Sequence, residues 1–361
     1  MAEFLCPTTA RSVLLLLHVA AAFALLLPHF VVVTARIHGH APARGAVGVN
    51  YGMLGDNLPA PDAVVGLLRS RHVRSVRLFD PNPTALKALE GSGIDVALGT
   101  RNEDLPRLAA DPAFAASWVA TNVLPHAPAL HFRCVSAGNE VIPGDLAPNV
   151  LPAIQNLAAA LRAANLSVPV TTAVSMQVLG ASYPPSQGSF SAESAPFMAP
   201  IAAYLQANGA PLLVNVYPYF PYAASPANIR LDYALFTAEQ PVVIDGPLRY
   251  FNLFDAMVDA AYWALEKAGG PSVEIVVSES GWPSAGNGEI ATVGNARTYN
   301  NNLLQHLSKG TPKRPKKDIE AFVFAIFNED LKAAGIEQNF GLFYPNMTEV
   351  YHVDFPLSIN N

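Results

Sequence analysis

The sequence predicts a single (β/α)8 barrel, and three observations carry that expectation. Eight short apolar runs bounded by turn residues recur between Ala46 and Phe327. They are continuously apolar rather than alternating, as parallel strands covered on both faces are. Segments with helical spacing lie between them, and such alternation closes into a barrel or, as the fallback, opens into a doubly wound sheet. The 361 residues would allow two domains. No linker rich in Gly, Ser or Pro interrupts Ala46 to Phe355, so one domain is expected.

In chain order, residues 1–35 read as a secretory signal peptide. Arg11 precedes an apolar run from Val13 to Val33, and Val33 and Ala35 fit the small-residue rule for cleavage after Ala35. The run is longer than the ~7–15 residues of an ordinary signal core. An uncleaved anchor is therefore the rival, against which Pro28, His18 and His29 argue. Residues 36–45 form a short arm, 46–355 the barrel and 356–361 a tail. The expected strands are Ala46 to Tyr51, Val76 to Phe79, Asp95 to Gly99, Phe132 to Ser136, Val170 to Val174, Leu212 to Val216, Glu274 to Ser278 and Ala321 to Phe327. Between the second and third, Asn82 to Gly91 has a capping residue, a proline in the first turn and a terminating glycine. Leu151 to Ala164 repeats apolar residues along one helical face. The longest interval, Tyr217 to Pro271, holds many aromatics and a helix from Leu253 to Lys267, and is expected to build a rim beside the active site.

Composition narrows the function. A formal charge of −6 disfavours a nucleic-acid partner. No second apolar run reaches spanning length, so the mature chain is expected to be soluble, secreted to the apoplast or cell wall, and monomeric. Cleavage would remove Cys6 and leave Cys134 alone in a strand, a buried inert thiol. Asn165 and Asn346 begin glycosylation sequons, whereas Pro83 bars the one at Asn82. The nine histidines form no His-Glu-x-x-His pair, and neither a Gly-x-Ser-x-Gly elbow nor a phosphate-binding loop is present. No metal and no cofactor are expected. The basic run Lys309 to Lys317 reads as a solvated loop at the bottom of the barrel.

Barrel enzymes place their chemistry just beyond the C-terminal ends of the strands. There the fourth, seventh and eighth runs end in Asn139-Glu140, Glu279 and Glu329. A carboxylate at the end of a core strand suffers desolvation unless paired. Closing the barrel mouth by ion pairs is one reason for such residues, and glycoside hydrolysis is the other. That reaction needs one acid to protonate the leaving oxygen, one carboxylate to attack or to activate water, and an aromatic platform for the sugar. Tyr51, Phe220, Trp282 and Phe343 are the candidate platforms.

Several blocks in order carry a resemblance to plant glycoside hydrolase family 17, the β-1,3-glucanases. They are Val47-Gly48-Val49-Asn50-Tyr51-Gly52, Arg77-Leu78-Phe79-Asp80-Pro81-Asn82, Ala137-Gly138-Asn139-Glu140-Val141, Asn215-Val216-Tyr217-Pro218-Tyr219-Phe220, Ser278-Glu279-Ser280-Gly281-Trp282-Pro283, Phe327-Asn328-Glu329-Asp330-Leu331-Lys332 and Phe340-Gly341-Leu342-Phe343-Tyr344-Pro345. The resemblance implies a retaining barrel enzyme with Glu140 as acid/base and Glu279 as nucleophile. In such a pair Glu140 is expected to carry a raised pKa and Glu279 to stay ionised. It further implies that Asn139 bonds the sugar 2-hydroxyl, that Tyr217 supports the nucleophile or the ring, and that Glu329 and Lys332 give electrostatic support. Glu329 is the alternative proton donor. Phe79 departs from the tyrosine of many relatives. The implied substrate is a β-1,3-glucan such as callose or fungal wall glucan. A mixed 1,3;1,4-β-glucan is the enzymatic alternative, and a wall protein that binds glucan without cutting it the non-enzymatic one. The acidic balance and the lack of a long C-terminal extension resemble the extracellular members.

Overall fold

Strands that are apolar on both faces need cover on both, and this chain supplies it by rolling its sheet closed inside a layer of helices. The computed structural model describes residues 47–356. The expected signal peptide, the arm, Cys6, Ala46 and residues 357–361 lie outside the described residues.

The barrel strands are β1 (Val47–Asn50), β2 (Ser75–Leu78), β3 (Asp95–Gly99), β4 (Phe132–Asn139), β5 (Val170–Ser175), β6 (Leu212–Asn215), β7 (Ile275–Ser280) and β8 (Ala321–Val323). All neighbours are parallel, and β1 pairs with β8 at Val47 and Ala321, which closes the ring and excludes the open sheet. Side chains fill the barrel: Ala97, Cys134, Ala173, Leu213, Val276 and Phe322 form one buried cluster contributed by six strands. Gly48 makes room for Phe322, since a Cβ there would meet its ring at 2.4 Å.

Helices pack outside by the patterns the sequence shows. Asn82 caps Pro83–Leu89 by accepting from the Ala85 N–H at 3.0 Å, and Gly91 follows with φ +67°. The helix Ala147–Ala163 begins before the expected Leu151 and buries Val150, Ile154, Leu157 and Leu161. Leu253–Lys267 is a helix as expected, capped by Asn252.

Three expectations need correction. The eighth strand stops at Val323, not Phe327. The apolar Phe324 to Phe327 instead pairs with the C-terminal segment, Leu342 N–H donating to the Ala325 carbonyl and Phe343 N–H to that of Ile326. The basic run is not a freely solvated loop. Lys313 lies 2.9 Å from Glu266 and over the Trp263 ring, Arg314 stacks on Tyr262, and Lys317 pairs with Glu274. The rim is also wider than Tyr217 to Pro271. A hairpin of Leu179–Ala181 and Ser189–Phe190 precedes it, bound to it by Ser186, whose N–H and Oγ donate to Asp245 at 2.7 and 2.8 Å.

Candidate active site

Six polar side chains, carried by four strands and the residues just past them, converge at the C-terminal end of the barrel. β2 contributes Arg77, a guanidinium 2% exposed between the buried Val76 and Leu78. Its Nη1 donates to Glu279 Oε1 at 2.6 Å and its Nη2 to Asn139 Oδ1 at 2.7 Å. β6 ends in Asn215, whose Nδ2 donates to Glu279 Oε1 at 2.9 Å and to Glu140 Oε1 at 2.8 Å. The Asn215 amide is itself fixed, because Ser278 Oγ donates to its Oδ1 at 2.7 Å. Just past β6, Tyr217 donates its hydroxyl to Glu279 Oε2 at 2.8 Å.

Three donors thus hold the Glu279 carboxylate, on both of its oxygens. Glu140 has a single protein donor among these contacts, and burial followed by the nearby Glu279 charge pushes its pKa above the usual carboxylate range. Two oxygens bonded to one nitrogen at 2.8 and 2.9 Å cannot be farther apart than the two lengths together. That limit falls below the roughly 6.5–9.5 Å of inverting carboxyl pairs and accommodates the roughly 5–5.5 Å of retaining ones. Burial and the Glu279 charge also push the Tyr217 phenol well up, so it remains a donor.

The carboxyl pair lies between hollows that run across the barrel mouth. One, of about 410 Å³, is lined by Tyr51, Phe79, Asp80, Asn139, Glu279 and Lys332, among others. A second, of about 370 Å³, is lined by Glu140, Met176, Tyr217, Phe220, Glu337 and others, and shares Glu279 and Phe324 with the first. A third adjoins at Asn139, Phe79 and Asp80. The hollows share lining residues, and the two carboxyls lie where the first two meet.

A closed parallel barrel carries an acid pair at the C-terminal ends of β4 and β7. The pattern of Glycosyl hydrolases family 17 matches residues 47–355. The chain belongs to this family. Among its relatives, the Hordeum vulgare protein GVI, provisionally named a glucan endo-1,3-beta-glucosidase, is 55% identical over 314 residues, covering 86% of this chain and 98% of that protein. Lichenase-2 of Hordeum vulgare is 49% identical over 315 residues, covering 87% of this chain and all of that one. A solved structure from a study of two plant beta-glucan endohydrolases with distinct substrate specificities superposes with a TM-score of 0.83 at 50% identity, covering 85% of this chain and 100% of that one.

Within this family 17 barrel, Glu140, Glu279, Asn139 and Tyr217 come together as the sequence suggests. Glu329 lies farther along the groove, beyond rather than at the end of β8, with Lys332 Nζ 2.8 Å from its Oε2 and the Leu54 N–H donating to its Oε1 at 2.8 Å. Gly52 permits this approach, since a Cβ there would overlap the Glu329 carboxylate. Tyr51 and Phe220 line the groove. Trp282 does not: its ring is fully buried against Tyr219 and Tyr299, and its Nε1 donates to the Ile290 carbonyl at 2.9 Å. Phe343 is likewise buried, packed on Phe327 with Arg71 over its face. Both are packing residues, so neither serves as a sugar platform. Phe79 keeps a place in the groove with its face on the Arg77 guanidinium. Asn165 and Asn346 are exposed and line none of these hollows. Sequence reasoning gave no role to Arg77 or Asn215, although a charge and an amide inside apolar strands were the available signal.

Proposed function

We propose that this family 17 glycoside hydrolase is a secreted retaining endo-hydrolase that cleaves internal (1→3)-β-D-glucosidic linkages. The observation that carries the reading is the unequal treatment of two carboxyls sharing the Asn215 amide. Glu279 is held by Arg77, Asn215 and Tyr217, which orient it for attack on the anomeric carbon. Glu140 has its pKa raised by burial and by the Glu279 charge, which keeps a proton available for the leaving oxygen. Attack by Glu279 and protonation by Glu140 give a glycosyl-enzyme. Glu140, now a base, then takes a proton from water, which releases the sugar with its configuration retained. Asn139 reaches the same groove and would contact the sugar bound to Glu279. Glu329 is occupied by Lys332 and the Leu54 N–H, which suits support at a distance rather than proton donation.

Support for the 1,3 linkage comes from GVI and other similar proteins named as glucan endo-1,3-beta-glucosidases. The 49% identity to Lichenase-2 favours a second reading, the mixed-linkage glucan. Chromatography of products from a linear β-1,3-glucan and from a mixed-linkage β-glucan separates them. Short oligosaccharides from the first alone are expected. Products mainly from the second would transfer the assignment. Secretion is tested by the N-terminal residue of the protein recovered outside a plant cell, expected at Arg36.

A further inference from the structure

Asn102, in the turn that follows β3, touches neither carboxyl, yet its side chain takes over the work of a missing strand. The ladder between β3 and β4 ends with Gly99 opposite Ser136, and the Thr100 N–H still donates to the Ser136 carbonyl at 2.9 Å. Beyond that point β4 continues alone on this side. On its other side the register with β5 shifts between Ser136 and Asn139, and the Glu140 N–H donates to the Ala173 carbonyl at 2.9 Å. In a parallel pair this directs the N–H and C=O of Asn139 away from β5, toward the side that β3 has left.

Asn102 meets both groups. Its Nδ2 donates to the Asn139 carbonyl at 3.0 Å, and its Oδ1 accepts from the Asn139 N–H at 2.8 Å. Thr100 Oγ1 accepts from the neighbouring Gly138 N–H at 3.1 Å. The peptides held in this way are unusual: Gly138 has φ +78° and Glu140 φ +54°, a region that side-chain-bearing residues seldom adopt. The acid is therefore presented by a backbone that would relax unless held from both sides.

We infer that Asn102 is a positioning residue for the acid/base, its amide acting as a one-residue strand that fixes the Asn139 peptide and so the aim of Glu140. This rests on the assignment of Glu140 as acid/base. Asn102→Ala leaves the Asn139 N–H and C=O unpartnered and frees Glu140 from its place beside Asn215. The defect should then follow the need for leaving-group protonation.

The test compares kcat/KM on a β-1,3-glucan oligosaccharide with kcat/KM on an aryl β-glycoside of the same chain bearing a dinitrophenolate leaving group, which departs without a proton. Asn102→Ala is expected to lose about 10- to 100-fold on the natural linkage, part of the roughly 100- to 10,000-fold that a well-placed general acid contributes, and less than about threefold on the aryl substrate. Asn102→Asp keeps the acceptor for the Asn139 N–H and loses the donor, so an intermediate loss is expected; it also supplies the reading if the alanine variant fails to fold. Equal losses on both substrates, or none on either, overturn the inference. Glu140→Ala is measured alongside. Should it show no preferential loss on the natural linkage, the acid/base assignment fails. A preferential loss there but none at Asn102 rejects the positioning role alone.

Discussion

At the N-terminal end of the barrel the carboxylates Glu320, Glu274 and Glu266 each have at least one cation in contact, whereas at the C-terminal end one guanidinium serves a site of two carboxyls and pairs with only one of them. Arg133, at the start of β4, reaches Glu320 with two nitrogens. Arg314 and Lys317 converge on Glu274, and Lys313 on Glu266. Opposite them, Arg77 is committed to Glu279 and Asn139, and Glu329 has Lys332. Of Glu140, Glu279 and Glu329, Glu140 is the one without a cation in contact. Matched charges let a barrel end close, while a surplus acid in a groove stores the proton that a leaving group needs.

The comparison breaks most visibly at Glu279, the proposed nucleophile. Glu279→Gln keeps the shape and one acceptor oxygen but cannot form the glycosyl-enzyme, so turnover should fall below about one thousandth of normal. The variant should still fold cooperatively, with thermal unfolding lowered because the buried Arg77 guanidinium loses its counter-charge. Activity near normal in that variant would remove the assignment.

Paired substitutions of the two arginines come next. Arg77→Met strands the Glu279 carboxylate in a buried site and should cost about 3–5 kcal/mol of stability together with most of the activity. Arg133→Met removes a better-matched and slightly more exposed pair. It should cost about 2 kcal/mol and leave kcat unchanged. Denaturant titration and initial rates on the two variants give both quantities. Equal loss of activity would mean that the ends are not functionally distinct.

The surplus charge also has a pH signature. As the proposed acid, Glu140 must be protonated to donate, and its pKa is raised by burial and by Glu279. Activity should therefore decline as pH rises through that elevated value, and the limb should vanish from kcat/KM for a substrate whose leaving group needs no proton. A limb that persists unchanged on the activated substrate would point to another group.

Most of this frame was legible before the fold was known. Continuous apolar runs identify buried parallel strands, and the Asp95 to Gly99 boundaries coincide with β3. The eighth run is over-read because apolarity reports burial, and Phe324 to Phe327 is buried against the C-terminal segment rather than within the barrel. The acids are visible because polar residues that end core strands are costly. Trp282 misleads because it follows Glu279 by three residues in sequence while its neighbours in space, Tyr219 and Tyr299, come from distant elements. Arg77 and Asn215 acquire meaning only when β2, β6 and β7 share a barrel end.

A last prediction asks whether a raised acid alone marks the site. Asp259, on the helix Leu253–Lys267, is buried beside the basic loop and accepts from the Lys313 N–H at 2.9 Å. Burial lifts its pKa from 3.8 to about 6, although hydroxyls of Thr311 and Tyr250 and the Lys313 N–H partly offset this. It faces no open groove and no second carboxyl of the catalytic pair. Its effect should appear in stability alone. The unfolded chain ionises this group near pH 3.8 and the folded one only near 6, so stability falls across that interval as pH rises and stays lower above it. Asn at this position removes the titration. The stability difference between Asp259→Asn and the parent should therefore shift by about 3 kcal/mol in favour of the variant between pH 3.5 and pH 7, with kcat unaltered. Parallel stability curves would show that Asp259 is not perturbed. A change in kcat would show that charge imbalance on the helical layer reaches the groove, and the contrast between the two ends of the barrel would lose its functional meaning.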